Sequence, residues 1–303
     1  MKHAIMIMAH ANYEGLCQLI KLLDNSHIDI FLHINSSSLD WDDNIVAGIT
    51  NESKVIIVPR IKVTYCNYSQ VEAIKSLLST ALKGHYDYYH IISGADLPLH
   101  SPAEFNDFFE CHNGSEFVNF NPRYDVTRAG YWFFFANAIR TSSGIRQRLL
   151  IYTHKVLLNI QKILKVNFAK GFNGTIHKGA DWWSITHAAA EYVIENEPIF
   201  RKFFRRTYCP SELLVQTLLY NSHFKAKIYS LEYNPMAALR EIDWQRGTPY
   251  VWRNSDFDYL INSVCMFARK FDVNIDNEII QRIINHHYCP VKAGKSVFEI
   301  VET

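Results

Sequence analysis

The sequence predicts an α/β fold with a mainly parallel central sheet and helices on both faces. Short apolar runs alternate with longer segments in which apolar residues recur at three- and four-residue steps. Strands that alternate with helices in this way are the pattern from which parallel sheets are built. With 303 residues and 48% hydrophobic side chains, the chain can bury a large core, and we expect one domain over residues 1–303.

The first part of the chain supplies most of the predicted sheet. Continuous apolar runs predict strands at 4–9, 28–34, 54–58 and 86–92, and helical spacing predicts helices at 14–23 and 71–82. Ligands bind at the carboxyl ends of the strands in sheets of this kind. That rule points to His10, to the turn at Asn35 and to the turn 93–98.

The order of strand and helix resumes after residue 180. Residues 182–186 are expected to form a strand, and residues 188–196 a helix. A second helix is expected to open at Ser211, because Pro210 stops whatever precedes it.

A basic insertion is expected at about 126–178. Between Asp125 and Asp181 the chain has no acidic residue, and apolar residues from Ile145 to Ile163 recur at helical spacing. This predicts a basic amphipathic helix. Two interpretations stay open: a surface helix docked on the core, or contact with an anionic membrane surface or a lipid-linked acceptor.

Composition excludes several classes. Thirty-one Lys and Arg against 30 Asp and Glu leave almost no net charge, so no nucleic-acid partner is expected. Six cysteines without C-x-x-C spacing argue against a zinc site, and we expect reduced thiols. The first apolar run is too short for a signal peptide or a membrane span, so the sequence predicts a cytoplasmic protein.

Glu212 is a candidate general base. It lies at the start of a predicted helix, where the helix dipole stabilises an ionised carboxylate, although acidic residues are also common there without any catalytic role. The D-x-D strings at 40–42 and 256–258 do not follow the fourth strand, and the single carboxylate of Asp96 is a poor site for a divalent ion. Arg253 and Lys270 are the alternative cations, although a charge cluster of this kind is usually a solvated face.

Taken in order, eight motifs resemble the core-2/I-branching β-1,6-N-acetylglucosaminyltransferase family, which also contains peptide O-xylosyltransferases (glycosyltransferase family 14). They are AIMIMAH (4–10), FLHIN (31–35), YSQVEA (68–73), YYHIISGADLP (88–98), GADWWS (179–184), CPSELLVQT (209–217), LREIDW (239–244) and MFARKFD (266–272). The chain looks like a bacterial, cytosolic member that decorates a surface polysaccharide or glycolipid precursor, without the Golgi anchor of vertebrate members.

The resemblance implies a GT-A-like nucleotide-sugar fold and an inverting, metal-independent transfer from a UDP-sugar to a hydroxyl of a glycan or glycolipid acceptor. Glu212 matches the family's catalytic base, Lys270 the lysine that grips the diphosphate, and Arg253 its partner arginine. The donor sugar is expected to be N-acetylglucosamine, with xylose or another UDP-hexose as the alternative.

The resemblance also implies binding roles for seven residues. His10, Asn35 and Tyr68 fall where the family contacts or lies near the uridine. Four positions fall where it lines the donor and acceptor pocket: Asp96, Asp181, Trp182 and Trp244. Two departures stand out, since Asn35 replaces the family's usual Asp, and Tyr65-Cys66-Asn67 replaces its usual tryptophan and glycines.

Three other classes of function remain open. A glycoside hydrolase would need two facing carboxylates, such as Asp96 with Glu212. A non-catalytic sugar-binding protein would keep the aromatic residues but would not need Arg253 and Lys270. An interaction protein that presents the basic helix would not depend on Glu212.

Overall fold

In a computed structural model that describes residues 1–123, 125–232 and 234–288, the central sheet has five strands in the order β3-β2-β1-β4-β6. Their bounds are β1 (His3–Ala9), β2 (Ile28–Ile34), β3 (Val55–Ile57), β4 (Tyr88–Ser93) and β6 (Ser184–Thr186). The first four run parallel, and β6 pairs with β4 in the antiparallel direction. The prediction of a mainly parallel sheet is confirmed.

A smaller sheet has the strand order β5-β8-β7, and its first strand, β5, follows β4 directly along the chain. Its strands are β5 (Asp96–Pro98), β7 (Arg240–Ile242) and β8 (Phe267–Arg269). β8 pairs antiparallel with β5 and parallel with β7. Because β8 is the middle strand and ends at Arg269, Lys270 directly follows the carboxyl end of that strand.

Helices cover both faces of the central sheet. The helices of the described chain are α1 (Tyr13–Leu22), α2 (Tyr68–Ala81), α3 (Pro102–Cys111), α4 (Ala136–Thr141), α5 (Gly144–Ile163), α6 (His187–Phe204), α7 (Ser211–Tyr220), α8 (Phe257–Ile261) and α9 (Asn277–Tyr288). One apolar cluster joins the sheet to α1, α3 and α9, and a second joins it to α2, α6 and α7. Within the described ranges, no helix has the length and apolar character needed to cross a membrane.

The buried guanidinium of Arg240 connects the two sheets. Arg240 belongs to β7, yet it donates hydrogen bonds to the carbonyls of Ile91 in β4 (3.1 Å) and of Trp183 beside β6 (3.0 Å). It also lies 4.7 Å from the ring centroid of Phe267. Since Arg240 is only 2% exposed, these bonds replace the water that a buried charge would otherwise need.

Helix α6 is longer than the sequence predicts. The expected helix over 188–196 extends to Phe204 and contains Pro198. Proline weakens a helix because it lacks an N–H and crowds the preceding turn. Phe200 and Phe204, beyond it, are fully buried, so tertiary packing outweighs the local signal.

The prediction of reduced thiols is wrong for two cysteines. Cys66 and Cys209 form a disulfide across 143 residues of sequence. The backbone N–H of Cys209 donates to the carbonyl of Cys66 at 3.2 Å, so the fold brings these two distant segments together. Cys17, Cys111 and Cys265 are free thiols, and Cys289 lies outside the described residues.

The predicted basic helix is present as α5, but the apolar residues that defined it do not dock on the core. Ile145 is 86% exposed and Ile163 is 78% exposed. The only buried residue of this helix is Gln161. Spacing alone identified an apolar stripe correctly and could not tell which way the stripe faces.

Candidate active site

A cleft of about 960 Å³ opens at the carboxyl ends of the parallel strands. His10 follows β1, Asn35 follows β2 and Ser93 ends β4, and all three line this cleft. The opposite wall comes from the segment before β6, from α7 and from the ends of β7 and β8. His10 and Asn35, which the sequence singled out, therefore both lie at this edge of the sheet and line the cleft.

Glu212 lines the cleft from the first turn of α7. Its Oε2 lies 2.9 Å from Nζ of Lys178, and the two side chains are 19% and 20% exposed. Burial, followed by the nearby carboxylate of Asp181, raises the pKa of Glu212 to about 7, while Lys178 opposes this shift. The helix dipole does not keep this carboxylate at an ordinary acidic pKa, because burial and a like charge outweigh it.

Asp181 is the second carboxylate of this wall. Its Oδ2 accepts a hydrogen bond of 2.9 Å from Nε2 of Gln70, at the start of α2. Burial raises the pKa of Asp181, and hydrogen bonds and the charges of Arg269 and Lys178 oppose the shift. Two neighbouring carboxyl groups with raised pKa values in one cleft are a common mark of a site that handles protons.

The segment 178–181 is tied to α7 by one backbone hydrogen bond and one from a side chain. The N–H of Gly179 donates to the carbonyl of Glu212 at 2.9 Å, and Nε2 of Gln216 donates to the carbonyl of Ala180 at 2.7 Å. A Cβ at position 179 would lie 1.7 Å from the carbonyl oxygen of Asn119. Only glycine therefore allows the approach that brings Lys178 and Asp181 beside Glu212.

Three cations line the cleft where the smaller sheet meets the central one: Arg240, Arg269 and Lys270. The guanidinium of Arg269 lies 4.4 Å from the ring centroid of Trp182 and 3.4 Å from Oδ1 of Asp96. Burial, and then the charges of Lys270 and Arg269, lower the pKa of His10, so its imidazole is held neutral. A group of fixed positive charges of this kind suits an anionic ligand.

Aromatic side chains form part of the cleft wall. Trp182, Trp244 and Tyr65 line the cleft, and Trp244 is 60% exposed. The guanidinium of Arg140, in α4, lies 4.3 Å from the ring centroid of Tyr65. Flat exposed rings at a cleft mouth offer stacking surfaces for the apolar faces of a sugar.

Three residues singled out in the sequence do not line the cleft. Tyr68 is buried at the start of α2, and its hydroxyl donates to Glu197 at 2.7 Å. Asp96 is 1% exposed and lies behind the cleft, where it accepts hydrogen bonds from the N–H and hydroxyl of Ser93. Arg253 is exposed and donates to the carbonyl of Ile275 at 2.8 Å.

Each of these placements has a local cause. Tyr68 falls on the inner face of α2, and Arg253 precedes a 3-10 helix (Asn254–Asp256) that directs its backbone to Asp256. Asp96 reaches the cleft only indirectly, through Ser93 and Arg269. A hydrolase that pairs Asp96 with Glu212 across a sugar therefore lacks one of its two carboxylates in the cleft.

Asn35 lines the cleft, and its side-chain amide makes hydrogen bonds within the protein. Its Nδ2 donates to the carbonyl of Val63 at 2.8 Å, and its Oδ1 accepts from the N–H of Val63 and of Ser37. The amide thus holds the loops after β2 and β3 together. An aspartate, which the family usually has here, could not donate to that carbonyl.

The sequence interpretation missed several cleft residues, chiefly Lys178, Arg269, Gln70 and Tyr65. Arg269 and Gln70 lie inside recognised motifs, MFARKFD (266–272) and YSQVEA (68–73), and Lys178 directly precedes GADWWS (179–184). A position within or next to a motif was thus the available signal. The D-x-D aspartates Asp42 and Asp256 cap 3-10 helices instead. Over the described ranges, no group of three or more His, Cys, Asp or Glu side chains is placed to hold a metal ion.

The fold and the cleft define an α/β protein with a cationic, aromatic-walled site at the carboxyl ends of parallel strands, an arrangement typical of proteins that bind anionic small molecules. The family model described as "Core-2/I-Branching enzyme" matches residues 4–257. The chain belongs to this family, whose relatives named below are glycosyltransferases.

Relatives are distant in sequence. Xylosyltransferase sqv-6 of Caenorhabditis briggsae is 25% identical over 257 residues, which is 74% of this chain and 30% of that protein. A human β-1,3-galactosyl-O-glycosyl-glycoprotein β-1,6-N-acetylglucosaminyltransferase is 22% identical over 93% of this chain and 69% of its own length. The crystal structure of mouse xyloside xylosyltransferase 1 aligns with a TM-score of 0.36 and 8% identity over 88% of this chain and 96% of its own. The chain thus spans less than a third of the worm relative.

Proposed function

We propose that this chain is an inverting glycosyltransferase that moves a sugar from a UDP-sugar to a hydroxyl group of a glycan or glycolipid, with Glu212 as general base. One observation carries the proposal. A partly buried glutamate with a pKa near 7 shares a cleft with Arg269 and Lys270, which supply fixed positive charge. Family membership supports the reaction class.

The proposed reaction forms one bond and breaks one bond at the anomeric carbon of the donor sugar. The acceptor oxygen attacks the anomeric carbon of the donor sugar, and its proton passes to the carboxylate of Glu212. The bond between the anomeric carbon and the diphosphate oxygen breaks, and UDP leaves with the bonding electron pair. Because attack and departure occur on opposite faces, one displacement inverts the anomeric configuration.

Fixed cations supply the charge that the leaving diphosphate requires. Lys270 is assigned to the diphosphate, and Arg269 replaces Arg253 as its partner, since Arg269 lines the cleft and is held by Asp96 and Trp182. Hydrogen bonds from such partly buried cations strengthen as negative charge develops on the leaving group. We propose that turnover needs no divalent metal for this reason.

Donor and acceptor are assigned to opposite ends of the cleft. The loops after β1 and β2, with His10 and Asn35, suit the uridine, and N-acetylglucosamine is the proposed donor sugar. Trp182 and Trp244 are assigned to sugar stacking near Glu212. Xylose and other UDP-hexoses are the alternatives that the donor screen below tests.

The direct test uses Glu212→Gln with Glu191→Gln as a matched control on α6, where Glu191 is 56% exposed. The first variant is expected to bind UDP as the parent does while transfer falls by a factor on the order of 100 or more. The control is expected to retain full activity. UDP release coupled to glycosylation of the acceptor is the readout, and UDP-sugars are first ranked by the thermal shift that each produces.

A chelation series tests the metal claim. Turnover is expected to be unchanged in saturating EDTA and after addition of Mn²⁺. Loss of turnover in EDTA with recovery in Mn²⁺ would refute it. Wild-type transfer rates in Glu212→Gln would refute the assignment of the base. Stable binding of a UDP-sugar with no transfer to any acceptor would instead favour a non-catalytic binding protein.

A further inference from the structure

Helix α5 presents an apolar stripe to solvent. The stripe consists of Ile145, Leu149, Tyr152, Val156, Ile160 and Ile163, which are between 39% and 86% exposed. These positions recur every three or four residues, so they form one continuous line along a helix of 20 residues. A contiguous exposed apolar surface of this kind marks a site that something else covers.

The apolar stripe is separate from the face of α5 that packs on the rest of the protein. The opposite side of α5 rests on the protein, where Gln161 accepts a hydrogen bond of 2.9 Å from the N–H of Trp132 and donates one of 3.0 Å to its carbonyl. Leu150 and Leu157 on that same side are partly buried. The helix therefore has two apolar faces, and the protein covers one of them.

Basic residues flank the stripe. Arg148, Lys155 and Lys162 follow one another at seven-residue steps, so they line one edge of the stripe, and all three are exposed. No acidic residue occurs between Asp125 and Asp181. Positive charge is also present beyond the helix. The guanidinium of Arg206 lies 4.3 Å from the ring centroid of Trp132.

That positive region includes a second cavity. A pocket of about 350 Å³ is lined by Arg201, Lys202, Arg205 and Arg206, together with aromatic residues. Since Trp132 bonds to Gln161 and stacks under Arg206, this pocket adjoins the C-terminal half of α5.

We propose that α5 lies flat on an anionic lipid surface, with the apolar stripe among the acyl chains and the flanking basic residues among the headgroups. An apolar line edged by Lys and Arg is the pattern of helices that bind in the plane of a membrane interface. A second copy of the chain fits less well, because pairing through α5 would place like charges face to face.

The proposed lipid surface lies close to the cleft. Helix α4 packs on α5, and Arg140 of α4 lies over Tyr65, which lines the cleft. One short helix therefore separates the membrane-facing stripe from the cleft wall. This inference does not depend on the proposed chemistry, because lipid binding is measured without donor or acceptor.

The test is co-sedimentation of the full chain with vesicles of phosphatidylcholine containing about 30% phosphatidylglycerol, compared with phosphatidylcholine alone. Binding is expected on the anionic vesicles and is expected to weaken as salt rises. Leu149→Ser is expected to lower the partition coefficient by about tenfold or more, the cost of one exposed leucine side chain. Leu39→Ser, at a position 93% exposed in a loop, is the matched control and is expected to bind as the parent does.

Charge is tested by replacing Arg148, Lys155 and Lys162 with Gln together. Each basic residue near an anionic surface contributes about fivefold, so the triple variant is expected to lose roughly 100-fold in partition. A triple Lys→Gln control at positions 2, 54 and 83, around the amino-terminal edge of the sheet, carries the same net charge and is expected to bind normally.

Three results would overturn the proposal. One is a failure to bind anionic vesicles at low salt, and another is equal loss of binding in the α5 variants and their controls. The third is self-association in sedimentation velocity that Leu149→Ser abolishes, which would assign the stripe to a second copy of this chain. Circular dichroism and the thermal unfolding midpoint check that each variant is folded.

Discussion

Replacing Lys178 with Met should move the pH dependence of transfer. Nζ of Lys178 lies 2.9 Å from Oε2 of Glu212, and the two side chains are only about one-fifth exposed. An opposite charge at such a distance lowers a carboxyl pKa by about 1 to 3 pH units. Its removal, taken at the low end of that range because some solvent screening remains, should raise the pKa of Glu212 from about 7 to about 8.

The sign follows from the role of Glu212 as a base. Only the ionised carboxylate accepts the acceptor proton, so kcat/KM falls as pH falls through the pKa. At pH 7 the ionised fraction would drop from about one half to about one eleventh, which is roughly a fivefold loss, and at pH 9 the two proteins should be nearly equal. The ratio of kcat/KM at pH 9 to that at pH 7 should thus rise from about 2 to about 10.

The assay is initial-rate release of UDP at low donor concentration across this pH range. Taking a ratio removes any contribution of Lys178 to substrate binding that is independent of pH. Lys178→Arg keeps the charge and should keep the parent's ratio. An unchanged ratio in Lys178→Met, or an intact acid limb in Glu212→Gln, would refute the idea that Glu212 is the titrating base.

Other perturbations test neighbouring parts of the site. Asp181→Asn removes the like charge that raises the pKa of Glu212, so the acid limb should shift to lower pH; a shift to higher pH would contradict this coupling. Lys270→Ala should weaken UDP binding by about tenfold or more in calorimetry, whereas Arg253→Ala should leave it unchanged, and the reverse pattern would restore Arg253 to the site. Arg240→Met strips hydrogen bonds from buried carbonyls in both sheets, so the free energy of unfolding in urea should fall by at least about 3 kcal/mol, and a loss under about 1 kcal/mol would show that the two sheets do not depend on it.

The sheet was predictable because its strands are continuous apolar runs. The bounds of β2 agree with the predicted strand 28–34, and the polar residues that follow β1 and β2 lie in the cleft. Both predictions depend on order along the chain alone. The carboxyl ends of parallel strands must meet at one edge, whatever the side chains do.

The order of residues along the chain does not determine the direction in which a side chain points. Arg253 and Arg269 both belong to segments that the sequence connects with the cleft, yet only Arg269 lines it, because β8 ends there and Arg253 begins a 3-10 helix. Asp96 was expected in a turn after β4, but it begins β5, where it pairs with Arg269 and supports that side chain. A three-residue strand leaves no periodicity from which such directions could be read.

The sequence also could not predict the long-range disulfide or what covers the exposed face of α5. The disulfide between Cys66 and Cys209 joins positions 143 residues apart, and no spacing rule connects them. For α5, periodicity identified the apolar stripe but carried no information on what covers it. Both features depend on which distant surfaces the fold brings together.

The crowding around Gly179 limits how this site can change in evolution or by design. Since even one added carbon there would collide with the carbonyl oxygen of Asn119, the position admits no useful variation. Lys178 and Asp181, by contrast, both act on the pKa of Glu212 in opposite directions, so substitutions there change the charge around Glu212. Libraries built to change acceptor choice or working pH should therefore hold residue 179 constant and vary 178 and 181.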